Sequence, residues 1–175
     1  MRNILVVVDI QKDFVDGALG TKEAVGIIAN SVSKIKEFDG DIYVTYDTHF
    51  ENYMSTTEGE KLPVPHCVKG TEGWELDVNI AAALKDKKYI PIEKITFGSV
   101  ELPKIIKENV GDEDFKITLI GLCTDICVVS NALILKANFP EKEITVDASC
   151  CAGVTPESHN AALTTMKMCQ INIVN

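Results

Sequence analysis

The chain has 175 residues, enough for one domain with a sizeable core, and its 46% hydrophobic and 25% charged content is that of an ordinary globular protein. A formal net charge of −9 argues against a nucleic-acid partner. No apolar run is long enough to span a bilayer, and Met1-Arg2-Asn3 leads straight into an apolar stretch with no small-residue cleavage site, so a cytoplasmic chain without a membrane partner is the default expectation.

The pattern alternates strand and helix from end to end, with no internal repeat, linker or low-complexity tract. Ile4 to Val8 is a continuous apolar run, as expected of a strand buried on both faces. Ala24, Ile27, Ile28, Val32 and Ile35 recur at helical spacing. Asp41 to Tyr46 reads as a second strand. Residues 47 to 75 form a long polar, Gly- and Pro-containing loop, and loops of that length in compact domains are usually functional. A short helix from Leu76 to Leu84 precedes a third strand, Tyr89 to Ile92. A helix from Leu102 to Asn109 leads to a fourth, Phe115 to Ile120. The next helix spans Asp125 to Ala137, and Glu143 to Val146 reads as a fifth strand. Thr155-Pro156 opens another helix, with Thr as N-cap and Pro at the first helical position. Ile171 to Val174 is the last strand. Such an order predicts one α/β domain over residues 1–175: a doubly wound parallel sheet of about six strands with helices on both faces. Sites in such sheets lie at the carboxyl ends of the strands.

The reactive side chains fall at those ends. Asp9 terminates the first strand, Asp47 and His49 follow the second, Lys94 the third, and Gly121 to Cys127 the fourth. Cys127 falls in the first turn of the following helix, where the dipole favours a thiolate. Lys94 would add positive charge, and Asp9 would accept the thiol proton and return it to a leaving amine. Backbone N–H groups at such a turn suit an oxyanion hole. Read singly, Cys127 fits a buried helix cysteine as well, Asp9 a turn carboxylate and Lys94 a solvated lysine. Their convergence on one sheet edge favours catalysis.

The loop supplies a second cluster. Asp47-Thr48-His49 sets a carboxylate and an imidazole two residues apart, and His66 follows the stiff Pro63-Val64-Pro65 approach. Two imidazoles and a carboxylate suit Zn, Mn or Fe(II), with Glu58 or Glu60 as an extra ligand. Ordinary polar loop residues would give the same weak Asp-x-His signal. His159, early in a helix, reads as a structural hydrogen-bonding histidine. Of the six cysteines, Cys150 and Cys151 read as packing, and Cys123 and Cys127 are not a Cys-x-x-Cys redox pair. Disulfides are the weaker reading for a chain of this kind. Trp74, Phe14 and Phe97 flank the motifs and suit either core packing or stacking on a flat substrate.

These stretches resemble the isochorismatase-like cysteine hydrolases, and within them the nicotinamidases, over essentially the whole chain. Val8-Asp9-Ile10-Gln11-Lys12-Asp13-Phe14 is similar to the family's opening motif. Glu93-Lys94-Ile95-Thr96-Phe97 resembles the stretch around its catalytic lysine, and Gly121-Leu122-Cys123-Thr124-Asp125-Ile126-Cys127-Val128 its nucleophile motif. Asp147-Ala148-Ser149 and Glu157-Ser158-His159 resemble its close. Asp47-Thr48-His49 and Pro65-His66-Cys67 resemble the nicotinamidase metal site.

The resemblance implies catalysis by Asp9, Lys94 and Cys127, with a cis Leu122–Cys123 peptide and an oxyanion hole from the Cys123 and Cys127 N–H groups. It implies one divalent ion, zinc foremost, on Asp47, His49, His66 and a glutamate, with Glu58 preferred to Glu60. The substrate would be a small amide such as nicotinamide, flanked by Phe14 and Phe97; a homo-oligomer is a candidate assembly that the sequence does not decide. Where some nicotinamidases carry a tryptophan before the proline–histidine run, this chain has Leu62-Pro63-Val64. The rival readings are a related amidase acting on another amide or carbamoyl compound, and a non-catalytic thiol protein. A dinucleotide-binding domain is disfavoured because no Gly-x-Gly-x-x-Gly follows the first strand.

Overall fold

The computed structural model describes all 175 residues. Six parallel strands form one sheet: β1 (Arg2–Val8), β2 (Asp41–Asp47), β3 (Tyr89–Lys94), β4 (Phe115–Leu122), β5 (Glu143–Ala152) and β6 (Asn172–Val174), in the order β3-β2-β1-β4-β5-β6. The order reverses between β1 and β4, and a crevice opens at such a switch point.

Side chains of a strand alternate between faces, and β1 shows why its apolar run is unbroken. Leu5 and Val7 enter one core, while Ile4, Val6 and Val8 enter the other. The first core is closed by α1 (Lys12–Val15), α2 (Lys22–Gly26), α3 (Ile28–Glu37) and α5 (Val78–Leu84), through Phe14, Ala24, Ile35 and Ile80 among others. The second is closed by α6 (Leu102–Val110), α7 (Val129–Asn138) and α8 (Pro156–Met168), through Ile106, Leu135 and Met166. The short helix α4 (Thr57–Lys61) lies outside both, in the long connection after β2. No helix is long and apolar enough to cross a membrane.

Several boundaries differ from the sequence reading. The expected single helix around Ala24–Ile35 is two, broken at Ile27, which caps α2 through Ala24 and Val25 carbonyls and precedes α3. The 47–75 stretch is not structureless: α4 and two 3-10 turns, Tyr53–Ser55 and Glu72–Trp74, lie within it. The fifth strand runs on to Ala152, past a register shift against β4. The helix expected from Asp125 begins instead as a wide π-turn, Thr124–Val128, and becomes α-helical at Val129. Thr155 does cap α8, its side chain accepting from Ser158 N–H, with Pro156 in the first turn.

Gly121 shows how tightly the switch point is packed. Its φ is +128°, and a Cβ there would lie 2.0 Å from the Val8 carbonyl oxygen. Only glycine lets β4 approach β1 this closely just before the Leu122–Cys123 peptide, which is cis, as the resemblance implies.

Candidate active site

Asp9 leaves β1 in the left-handed region, with φ +47°. That conformation is uncommon for a residue with a side chain, though aspartate tolerates it better than most. It ends the strand and leaves the carboxylate fully buried. Thr45 on neighbouring β2 donates its hydroxyl to Oδ1 at 2.6 Å, and Lys94 Nζ lies 2.6 Å from Oδ2. Lys94 closes β3 opposite Asp47 and is itself buried. Its ammonium also lies 3.5 Å from Asp47 Oδ1 and 3.6 Å from Cys127 Sγ. One cation therefore touches the ends of three chain segments.

Burial raises the Asp9 carboxyl above its ordinary range, and Lys94 offsets part of that. Burial opposes charge on Lys94 too, but Asp9, Cys127 and Asp47 together more than restore it and hold the ammonium protonated. Lys94 does pull the Cys127 thiol down, as expected, but it does not set the net direction. Burial pushes the thiol well above its ordinary value and the Asp9 charge adds to this, while Lys94 compensates only in part. At rest the proton stays on sulfur.

The Thr124–Val128 turn is tied to the β5–α8 junction. The Thr124 hydroxyl lies 2.8 Å from His159 Nδ1, and the Asp125 carboxylate accepts from Val154 N–H at 3.1 Å. Asn131 donates to the Cys127 carbonyl at 2.8 Å and accepts from Ser99 N–H. The Cys123 N–H makes no hydrogen bond within the chain.

The second cluster is assembled by a short bridge. His49 N–H donates to the Cys67 carbonyl and Lys69 N–H to the His49 carbonyl, drawing the His66–Lys69 segment alongside the continuation of β2. Asp13 accepts from Cys67 N–H at 2.8 Å and pins the same turn, where Cys67 has φ +45°. His66 Nδ1 donates to the Val64 carbonyl, which leaves the Nε2 lone pair facing inward. Thr56 caps α4 by accepting from Gly59 N–H, and the helix turns Glu58 towards the imidazoles and Glu60 towards solvent.

His49 Nε2 lies 3.0 Å from Asp47 Oδ2 and 3.6 Å from Glu58 Oε1; His66 Nε2 lies 3.6 Å from both carboxylate oxygens. A tetrahedral site with ligand bonds of about 2.0–2.1 Å has edges of roughly 3.3–3.4 Å, so these separations fit zinc-sized coordination. Burial would raise Asp47, but the adjacent His49 and His66 imidazoles and the nearby Lys94 charge hold its carboxyl well below the ordinary range. It is an anion, as a ligand must be.

Both clusters open into one cavity of about 580 Å³, lined by Asp47, Glu58, His66 and Cys127 on its polar side. Phe14 and Phe97 line it as well. Phe14 is buried and its ring centroid sits 5.4 Å from that of His66, whereas Phe97 is half exposed at the mouth. Trp74 is not in this cavity; its indole donates to Thr48 and its ring packs on Tyr46.

The isochorismatase domain model matches residues 3–174. The chain belongs to the isochorismatase family. This family member is 25% identical to the nicotinamidase/pyrazinamidase of Mycobacterium tuberculosis over 97% of each chain. A solved nicotinamidase/pyrazinamidase from Bacillus subtilis matches it with TM-score 0.86 at 25% identity, covering 100% of both chains. The pyrazinamidase of Pyrococcus horikoshii, solved in complex with zinc, matches with TM-score 0.82 at 29% identity, over 100% of this chain and 99% of that one.

Three residues of this isochorismatase-family site were not assigned roles from the sequence. Thr45 contributes the second hydrogen bond to Asp9. Gln11 donates to the Asp47 carbonyl and accepts from Asp47 N–H at 2.8 Å, so it splints the end of β1 to β2. Tyr53 packs edge-on against both His49 and His66, with centroids 4.7 and 5.1 Å away. Gln11 carried a signal, since it stands two residues beyond Asp9 in the opening motif. Thr45 and Tyr53 meet their partners only through the fold.

Proposed function

We propose that this chain is an amidohydrolase that deamidates nicotinamide to nicotinate and ammonia through a thioester on Cys127. The observation that carries this reading is that Cys127, backed by Asp9 and Lys94, faces the same cavity as Asp47, Glu58 and His66, with His49 completing that donor set behind them. The relatives' names supply the substrate class. A divalent ion held by the four donors, whose spacing accommodates zinc, would supply a Lewis-acidic contact for a ring nitrogen.

The remaining steps belong to the chain's own residues. Asp9 takes the thiol proton as sulfur bonds to the carboxamide carbon. The oxyanion is received by the Cys123 and Cys127 N–H groups. Protonated Asp9 returns its proton to the amide nitrogen, the C–N bond breaks, and ammonia leaves a thioester on Cys127. Water then attacks the thioester with Asp9 as base, the C–S bond breaks, and the sulfur recovers its proton. Lys94 stays charged throughout and pairs with whichever neighbour is anionic.

The test is Cys127→Ala with nicotinamide, followed by ammonia release. Loss of a positioned nucleophile lowers kcat by roughly four orders of magnitude or more. Turnover unchanged in this variant would end the assignment.

A further inference from the structure

The cavity has two unlike ends. Its inner end is buried and reactive, formed by Cys127, Asp47 and His66. Its outer end is open and apolar. Leu62 follows α4, Ile95 and Phe97 follow β3, and Val154 precedes α8; all four line the cavity, with exposures from 39% to 70%. Single exposed apolar side chains are normal on protein surfaces. Four of them from three separate segments, arranged around one opening, make a surface that lacks its cover.

Size points the same way. The cavity volume of about 580 Å³ lies within the range of ~300–1,000 Å³ for pockets that enclose drug-sized ligands. Nicotinamide is a single ring. With its carboxamide over Cys127 and its nitrogen at the donor cluster, it is used up at the inner end. Of the charged side chains in the lining, Asp47 and Glu58 belong to that cluster and only Lys61 stands apart. What the outer end suits is therefore an uncharged, apolar group.

Resting on the amidase reading above, we propose that the preferred substrates are pyridine carboxamides bearing an apolar substituent, which Leu62, Ile95, Phe97 and Val154 enclose. These residues then set specificity by contact with the substituent and take no part in bond making.

The experiment is a steady-state series on the zinc-loaded enzyme with nicotinamide and its 5-methyl, 5-ethyl and 5-propyl derivatives, read as kcat/KM for ammonia release. We expect kcat/KM to rise by about tenfold for at least one added carbon, the lower bound for a methylene in an apolar pocket. Leu62→Ala and Ile95→Ala, both at exposed positions, should lower the ratio of the propyl derivative to the parent. Nicotinamide outperforming every derivative overturns the proposal. So does an unchanged ratio in both variants, and so does an unchanged ratio with a dimer-to-monomer shift in sedimentation, since the cover is then a second copy of the chain. Hydrolysis of none of the four compounds overturns the underlying amidase reading and this one with it; hydrolysis of nicotinamide alone overturns only this one.

Discussion

Replacing Lys94 by methionine keeps most of the side-chain volume and removes the charge. Asp9 is then left fully buried with only the Thr45 hydroxyl and the Cys127 thiol as hydrogen-bond donors. Removing one partner of a buried ion pair costs about 3–5 kcal/mol, because the other charge stays desolvated. For a chain of this size each kcal/mol moves Tm by about 2–4 °C, so the loss is roughly 6–20 °C. The loss also depends on pH. Without Lys94 the Asp9 carboxyl rises further above its unfolded value, so the folded state binds the extra proton. That contribution is present at low pH and is lost as pH rises through the folded pKa. The Lys94→Met deficit is therefore larger at about pH 8 than at about pH 5. Calorimetry of both proteins across this range, with chelator present, measures it. The double variant Asp9→Asn, Lys94→Met should regain part of the loss, because no buried charge is stranded. Wild-type stability in Lys94→Met at the alkaline end, or a deficit independent of pH, would refute the reasoning.

Two other changes probe the scaffold and the metal cluster. Glu58→Gln should weaken zinc binding at least about tenfold in competition with a chromophoric chelator, while Glu60→Gln leaves it unchanged; equal effects would remove Glu58 from the donor set. Gly121→Ala should lower the urea unfolding free energy by about 3 kcal/mol or more, from backbone strain plus overlap with Val8. An unaltered midpoint would mean that β1 and β4 separate easily.

Much of the site was legible because its parts lie at strand ends. Asp9, Asp47, Lys94 and Cys127 each follow a short apolar run that locates its own carboxyl end, and a parallel sheet brings those ends together. Glu58 over Glu60 rested on family likeness; the physical reason is that two residues along a helix rotate by about 200°, so only one of the pair faces the imidazoles. Thr45, Tyr53 and the Thr124–His159 contact were not legible in the same way. Each depends on cross-strand register or on two elements meeting, and no local pattern encodes that. The thiol's raised pKa was missed for a related reason. The helix dipole and Lys94 can be anticipated from sequence order, whereas complete burial beside Asp9 cannot.

That raised pKa still allows a nucleophilic cysteine. Moving the proton from Cys127 to Asp9 exchanges one buried anion for another beside the same ammonium, 2.6 Å from Asp9 and 3.6 Å from Sγ, so the net charge of the trio is unchanged. Desolvation opposes loss of the thiol proton to solvent far more than this internal transfer. The distinction is measurable with Asp9→Asn. Removing the carboxylate takes away a charge that holds the thiol up and leaves Lys94 free to pair with sulfur. Alkylation of Cys127 by iodoacetamide at neutral pH, followed by peptide mass spectrometry, should therefore become faster in Asp9→Asn. Ammonia release from nicotinamide should fall by about 10²-fold or more, because no group remains to protonate the leaving nitrogen. If alkylation slows in step with turnover, the Asp9 charge does not hold the thiol up, and the account of why the resting proton stays on sulfur is wrong.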